Sequence, residues 1–180
     1  LTCRISTLID IGKNCKFAIT IKYMKIFEFQ FNPKAQKDRF FRVFSFEPKD
    51  EEDEEFGSLY IVGELENALP TNAQFLERIS VNIHKEYIVA VKESKGKAKR
   101  KAFSASTSLK KSLRKANEFL AGESKKGNIH WLGNLHFAIF LFLPSSSGYT
   151  LYFTKVGAIK LWMGRNGSLV DMGKSLEDGN

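Results

Sequence analysis

Glu64 and Glu66 stand two residues apart, directly after the short apolar run Leu59-Tyr60-Ile61-Val62-Gly63. If that run is a strand, its period-2 alternation puts both carboxylates on one side of a sheet. Carboxylate oxygens suit hard cations such as Mg²⁺ and Mn²⁺, so the pair is a candidate metal site. The competing reading is an ordinary solvated strand end. A second chemistry is carried by charge. Residues 92–115 hold ten basic groups against one acid, Glu93, while the chain as a whole carries a formal +8. The high pI therefore reports one basic patch, with Lys97, Lys99, Arg100, Lys101, Lys110, Lys111 and Arg114 as candidate anion- or partner-binding residues. Such a patch can neutralise nucleic-acid phosphates. Its one aromatic residue, Phe103, gives little means of stacking on single-stranded bases. A solvated linker and an acidic protein partner are the other readings of the same residues. The acidic run 47–55 is itself a possible counter-charge.

Other chemistries find no support. His84, His130 and His136 share no metal-ligand spacing and have no cysteine neighbours, so they read as core or surface histidines. Gly167 to Gly173-Lys174-Ser175 superficially matches a phosphate-binding loop. Its first glycine is one residue too far away and the interval is an apolar strand. No serine sits in a nucleophile elbow and no Cys–His pair is visible, so no catalytic residue is assigned. The two cysteines, Cys3 and Cys15, form no CxxC and suit a reducing compartment. The longest apolar run, Leu135 to Leu143, is about half the ~20 residues of a membrane helix. A cytoplasmic protein that does not engage membranes is expected.

The elements that must position these residues follow from hydrophobic period. Phe27–Phe31, Phe40–Phe46 and Ser58–Val62 read as strands, the first by strict alternation. Glu47 to Glu55 carries seven acids and reads as a solvated loop. Pro70-Thr71-Asn72 opens a helix over 72–89 whose Phe75, Leu76, Ile79, Ile83 and Tyr87 share a face. A basic linker over 92–105 leads to a second helix over 107–121, capped from among Ser106, Thr107 and Ser108. Its Leu109, Leu113, Ala116 and Leu120 form a 3.6-residue stripe. Trp131–Leu143 reads as a strand buried on both faces, and Tyr149–Val156 and Ile159–Met163 as further strands. Asn166-Gly167 makes a tight hairpin turn into Leu169-Val170-Asp171-Met172. Short connections between consecutive strands imply antiparallel pairing. The class is α+β: antiparallel, sandwich-like sheets packed against a helical pair.

This order, with two local signatures, resembles the PPM-type (type 2C) metal-dependent Ser/Thr protein phosphatases. In that family a buried strand ends in Asp-Gly-x-Gly-Gly, whose aspartate and first glycine carbonyl bind the metal pair. Two helices follow, the second with an Ala-Asn pair, then a buried strand and a Gly-Asp-Ser-Arg motif. Here Leu59-Tyr60-Ile61-Val62-Gly63-Glu64-Leu65-Glu66-Asn67 stands at the first motif and Ala116-Asn117 lies in the second helix. Val156-Gly157-Ala158-Ile159-Lys160-Leu161 stands where Gly-Asp-Ser-Arg belongs, and Gly167 to Asp178 matches the later turn. The resemblance covers roughly Lys25 to Asp178.

The departures fall on the metal ligands. Asp-Gly is replaced by Glu64-Leu65, the paired glycines by Glu66-Asn67, and Gly-Asp by Gly157-Ala158. A two-metal hydrolase uses its metals to generate hydroxide and clamp the phosphoryl group, and Leu65 adds a side chain where backbone must come close to metal. The resemblance thus implies a degenerate, C-terminally incomplete domain over 24–180, preceded by a non-native extension over 1–23. The expected function is a catalytically silent regulatory or binding module for an unidentified protein partner, with no cofactor. One alternative is a divergent phosphatase using Mn²⁺ or Mg²⁺ with ligands beyond residue 180. A second is a nucleic-acid-binding protein using 92–115.

Overall fold

The computed structural model describes residues 39–66, 69–96, 104–146, 148–165 and 167–172. Strand β1 is Phe40–Phe46 and β2 is Ser58–Leu65. Helix α1 is Asn72–Gly96 and α2 is Ala105–Lys125. Strands β3 (Leu135–Ser145), β4 (Gly148–Val156), β5 (Trp162–Arg165) and β6 (Ser168–Asp171) complete the order. β1-β2-β3-β4 form one antiparallel sheet, and β5-β6 form a separate hairpin. The α+β class and antiparallel pairing are as expected. The sandwich is reduced among the described residues, since only the β5-β6 hairpin packs on the face of the sheet opposite the helices.

Alternation divides the sheet cleanly. Leu59, Ile61 and Leu65 of β2 and Phe137, Ile139 and Leu141 of β3 are fully buried and pack with the helices. α1 contributes Phe75, Leu76, Ile79, Ile83, Tyr87 and Val91, and α2 contributes Leu109, Leu113, Ala116 and Leu120. Ser80, Ser108 and Ser112 are buried among them, small enough for the helices to approach closely. The Ser112 hydroxyl donates to the Leu109 carbonyl at 2.7 Å, which removes the cost of burying it. On the second face, Leu151, Phe153 and Met172 cluster with Phe140, Phe142, Leu161 and Met163.

Two cross-links tie the layers. The Tyr87 hydroxyl donates to the Phe56 carbonyl at 2.8 Å, and burial raises its pKa well above the ordinary phenol value. At the other end, Glu123 of α2 accepts from Arg78 of α1 (3.1 Å), Lys126 (3.0 Å) and Asn128 (2.9 Å). These bonds, Asn128's first, then Lys126's, hold its carboxyl down at about 2. Arg78 also lies over the Phe119 ring, 5.2 Å from its centroid.

Several boundaries differ from the sequence reading. β2 runs three residues past Val62 to Leu65, which places Glu64 inside the strand. The region expected to be a basic linker from residue 92 is helical to Gly96, because Ala90 and Val91 continue the buried stripe of α1. α2 starts earlier than expected and is capped by Ser104, whose side chain accepts from the Thr107 N–H. Trp131–Asn134 is a turn and not part of β3. The backbone N–H groups of Leu132, Asn134 and Leu135 bond to carbonyls three or four residues back, so they are unavailable to a ladder. β5 begins at Trp162, three residues after Ile159. Within the acidic run, Glu51–Phe56 is a short 3-10 helix, anchored by buried Phe56. The expected strand Phe27–Phe31 and the segment 1–23 lie outside the described residues. No described helix is long and apolar enough to cross a membrane.

Candidate functional site

Register brings four segments together at one end of the sheet, on the face opposite the helices. Glu64 pairs with Phe41 of β1 and with His136 of β3. One step beyond Phe40↔Leu65, Arg39 comes opposite Glu66, and one step beyond Phe137↔Val156, Gly157 comes opposite His136. The Glu66 N–H continues the β2-β3 ladder by donating to the Asn134 carbonyl at 3.0 Å. The result is a polar row at one end of the sheet, with buried Lys155 beside it on the same face.

The contacts within that row are specific. Arg39 Nη1 donates to Glu64 Oε1 at 3.0 Å and Nη2 donates to Glu66 Oε1 at 2.6 Å. One guanidinium therefore holds both carboxylates. His136, 9% exposed, accepts the Ala158 backbone N–H through Nδ1 at 3.0 Å. An accepting Nδ1 places the proton of a neutral ring on Nε2. That nitrogen lies 3.2 Å from Glu66 Oε1, but off line, so the contact is electrostatic and the atom lacks a true hydrogen-bond partner. Gly157 has φ +77, and a Cβ there would overlap His136 Nδ1. Only glycine leaves room for the ring at this point. Lys155 Nζ donates to the Gly157 carbonyl at 3.2 Å and closes the turn.

The described residues do not supply the ligand set of a metal pair. Both carboxylates are paired with the Arg39 guanidinium. Among the described residues no three His, Cys, Asp or Glu side chains form a group that could hold a metal ion. Ala158 supplies a backbone N–H to His136. Glu64 and Glu66 are partly exposed at the strand end. They are the acidic half of an ion-paired cluster with Arg39. The sequence alone had given Arg39 no role, since the pairing spans 25 and 27 residues and exists only through the β1-β2 register.

The basic candidates separate. Lys111 pairs with Glu93 of α1 at 3.5 Å and Lys115 with Glu118 at 2.7 Å, so part of the patch is compensated within the helix pair. Lys110 and Arg114 are also on α2. Lys97, Lys99, Arg100 and Lys101 lie outside the described residues. In the acidic run, Glu47 accepts from the Tyr60 hydroxyl at 2.7 Å. Burial and that carboxylate push the Tyr60 phenol up to about 12.

A feature that the sequence did not disclose is a cleft of about 580 Å³ beside His136. Asn117, Leu120 and Ala121 of α2, Trp131 and Leu132 of the turn, and Val156 of β4 are among its walls. Its size falls in the range of small-molecule pockets and its lining is largely apolar. A smaller cleft of about 180 Å³ lies between Phe46, Asp53 and His84, where the imidazole stacks on Phe46 at 4.3 Å and burial lowers its pKa.

Fold and site together define an α+β domain with an ion-paired polar row at one sheet end. Compared with protein-family models, curated proteins and solved structures, the chain matches none.

Proposed function

We propose that this chain is a catalytically silent PPM-phosphatase-like module that acts by binding. The observation that carries the reading is where the departures from the family pattern sit. Glu64, at the first metal motif, and Gly157-Ala158, at the later one, meet in one row through His136. Convergence of those two positions is what a domain descended from a two-metal phosphatase leads one to expect. The groups now present are a guanidinium, two carboxylates paired to it and an imidazole. Hydrolysis by the family's route needs metals to generate hydroxide and stabilise the transferring phosphoryl group, and the two carboxylates here are already paired with Arg39.

The test is release of phosphate from an aryl phosphate and from a phosphoprotein, with Mn²⁺ or Mg²⁺ present. No turnover above the no-enzyme control is expected. Metal-dependent turnover that disappears in Glu64→Ala would reinstate the divergent-phosphatase alternative.

A further inference from the structure

Resting on that reading, we infer that Arg39 is the resident cation of the site, a covalently tethered replacement for the metal that the surrounding acids would otherwise require. Three observations lead there. Glu64 and Glu66 project from the same face of one strand, and two carboxylates so placed repel unless a cation stands between them. The cation present is the guanidinium of Arg39, with a separate nitrogen on each carboxylate. Independently, the buried His136 directs Nε2 at the same cluster, 3.2 Å from Glu66 Oε1, without forming a hydrogen bond. That nitrogen carries the ring proton and so faces Glu66 as a second, weaker electropositive neighbour.

The physical consequence is a change of job as well as of occupant. A metal at a strand end joins segments that are distant in sequence, and its binding energy becomes folding energy. Arg39 joins the start of β1 to the end of β2 by two charge-assisted hydrogen bonds. Through Glu66 the connection continues to His136 and so to the turn at Ala158. The site therefore keeps a cross-linking function in a form that no chelator can remove.

Thermal unfolding of the full chain tests this, with EDTA, Mn²⁺ or Zn²⁺ added as the probes. The wild type should melt at one temperature in all three. Arg39→Gln should melt lower by roughly 2–4 °C and should regain part of that loss on addition of Mn²⁺ or Zn²⁺, since the freed carboxylates then favour an external cation. Arg39→Lys should stay closer to the wild type and remain insensitive to metal. If Arg39→Gln proves too unstable to measure, the Arg39→Gln/Glu64→Gln/Glu66→Gln triple variant serves in its place. It should recover folding and ignore metal. A wild-type melting temperature that rises with metal and loses that response in Glu66→Gln overturns the inference, as does an Arg39→Gln variant that melts like the wild type or never responds to metal. These readouts are independent of phosphate release. Turnover defeats the silent-module reading, whereas a wrong thermal response defeats the role of Arg39 alone.

Discussion

Replacing Gly157 by alanine attacks the site through its backbone. Gly157 has φ +77, a region that costs an L-residue about 1–2 kcal/mol. The added Cβ would overlap His136 Nδ1, so the imidazole must swing away and the Ala158 N–H loses its acceptor. A neutral hydrogen bond of this kind contributes about 1 kcal/mol net. Together the terms predict destabilisation of about 2–3 kcal/mol, read as a fall in the urea midpoint with the slope unchanged. The two terms are separable in a double-mutant cycle. In a His136→Ala background the overlap is gone, and Gly157→Ala should cost only its backbone share, leaving a coupling energy of about 1 kcal/mol or more. If Gly157→Ala costs the same with and without the imidazole, the ring and the glycine are not packed as described. A cost below about 0.5 kcal/mol would refute the positive φ as well.

Two further outcomes are expected. Glu123 has its carboxyl held at about 2 in the fold by Asn128, Lys126 and Arg78, well below the 4.5 of an ordinary glutamate. A depressed folded pKa gives stability that is fully present above the unfolded value and is lost as pH falls from about 4.5 towards 2. Urea midpoints measured across that window should drop steeply in the wild type and less so in Glu123→Gln. A variant that tracks the wild type would show that other carboxylates set the acid limb. If the basic helix face binds nucleic acid, as the alternative reading has it, oligonucleotide affinity should fall steeply from low to moderate salt and show no sequence preference, and undetectable binding at low salt rules that alternative out. Lys111 and Lys115 already have acidic partners, so their removal should change that affinity less than removal of Arg114.

The parts of this fold that were legible in the sequence are those where one periodicity holds over many residues. The stripe from Phe75 to Tyr87 in α1 and that from Leu109 to Leu120 in α2 are such cases, and both are buried as read. Where the pattern is apolar throughout, period gives no boundary. Trp131 to Leu143 looked like one strand, yet its first four residues form a hydrogen-bonded turn in which Leu132 is half exposed. Capping was ambiguous for a similar reason. Ser104, Ser106, Thr107 and Ser108 are all competent N-caps, and the burial of Ala105 and Ser108 selects Ser104. Of the site, Glu64 and Glu66 were legible as a pair on one face. Arg39 and His136 were not, because their partners are set by strand register over 22 to 27 residues of separation. The cleft joins three segments and has no local signature at all.

In the proposed reading, register also explains how the site could change its chemistry without losing its fold. Phe137, Ile139 and Leu141 are buried against the helices, and a slip of one residue would turn all three to the opposite face. The same constraint holds His136 opposite Glu64 and Gly157 opposite His136, whatever those side chains do. Leu65 is the clearest case. In the proposed reading it stands where the family keeps a glycine for close approach to metal. Here its side chain is fully buried on the helix face, between Phe40 and Leu135, while Glu64 projects to the other side. Burying a leucine stabilises a fold by about 2 kcal/mol, a gain open to a strand end only once its backbone no longer has to approach a metal. Substituting Leu65 by glycine would thus remove core packing, while Arg39 would still hold Glu64 and Glu66. Loss of stability with no gain in metal response is the outcome that separates a site rebuilt around Arg39 from one merely lacking a glycine.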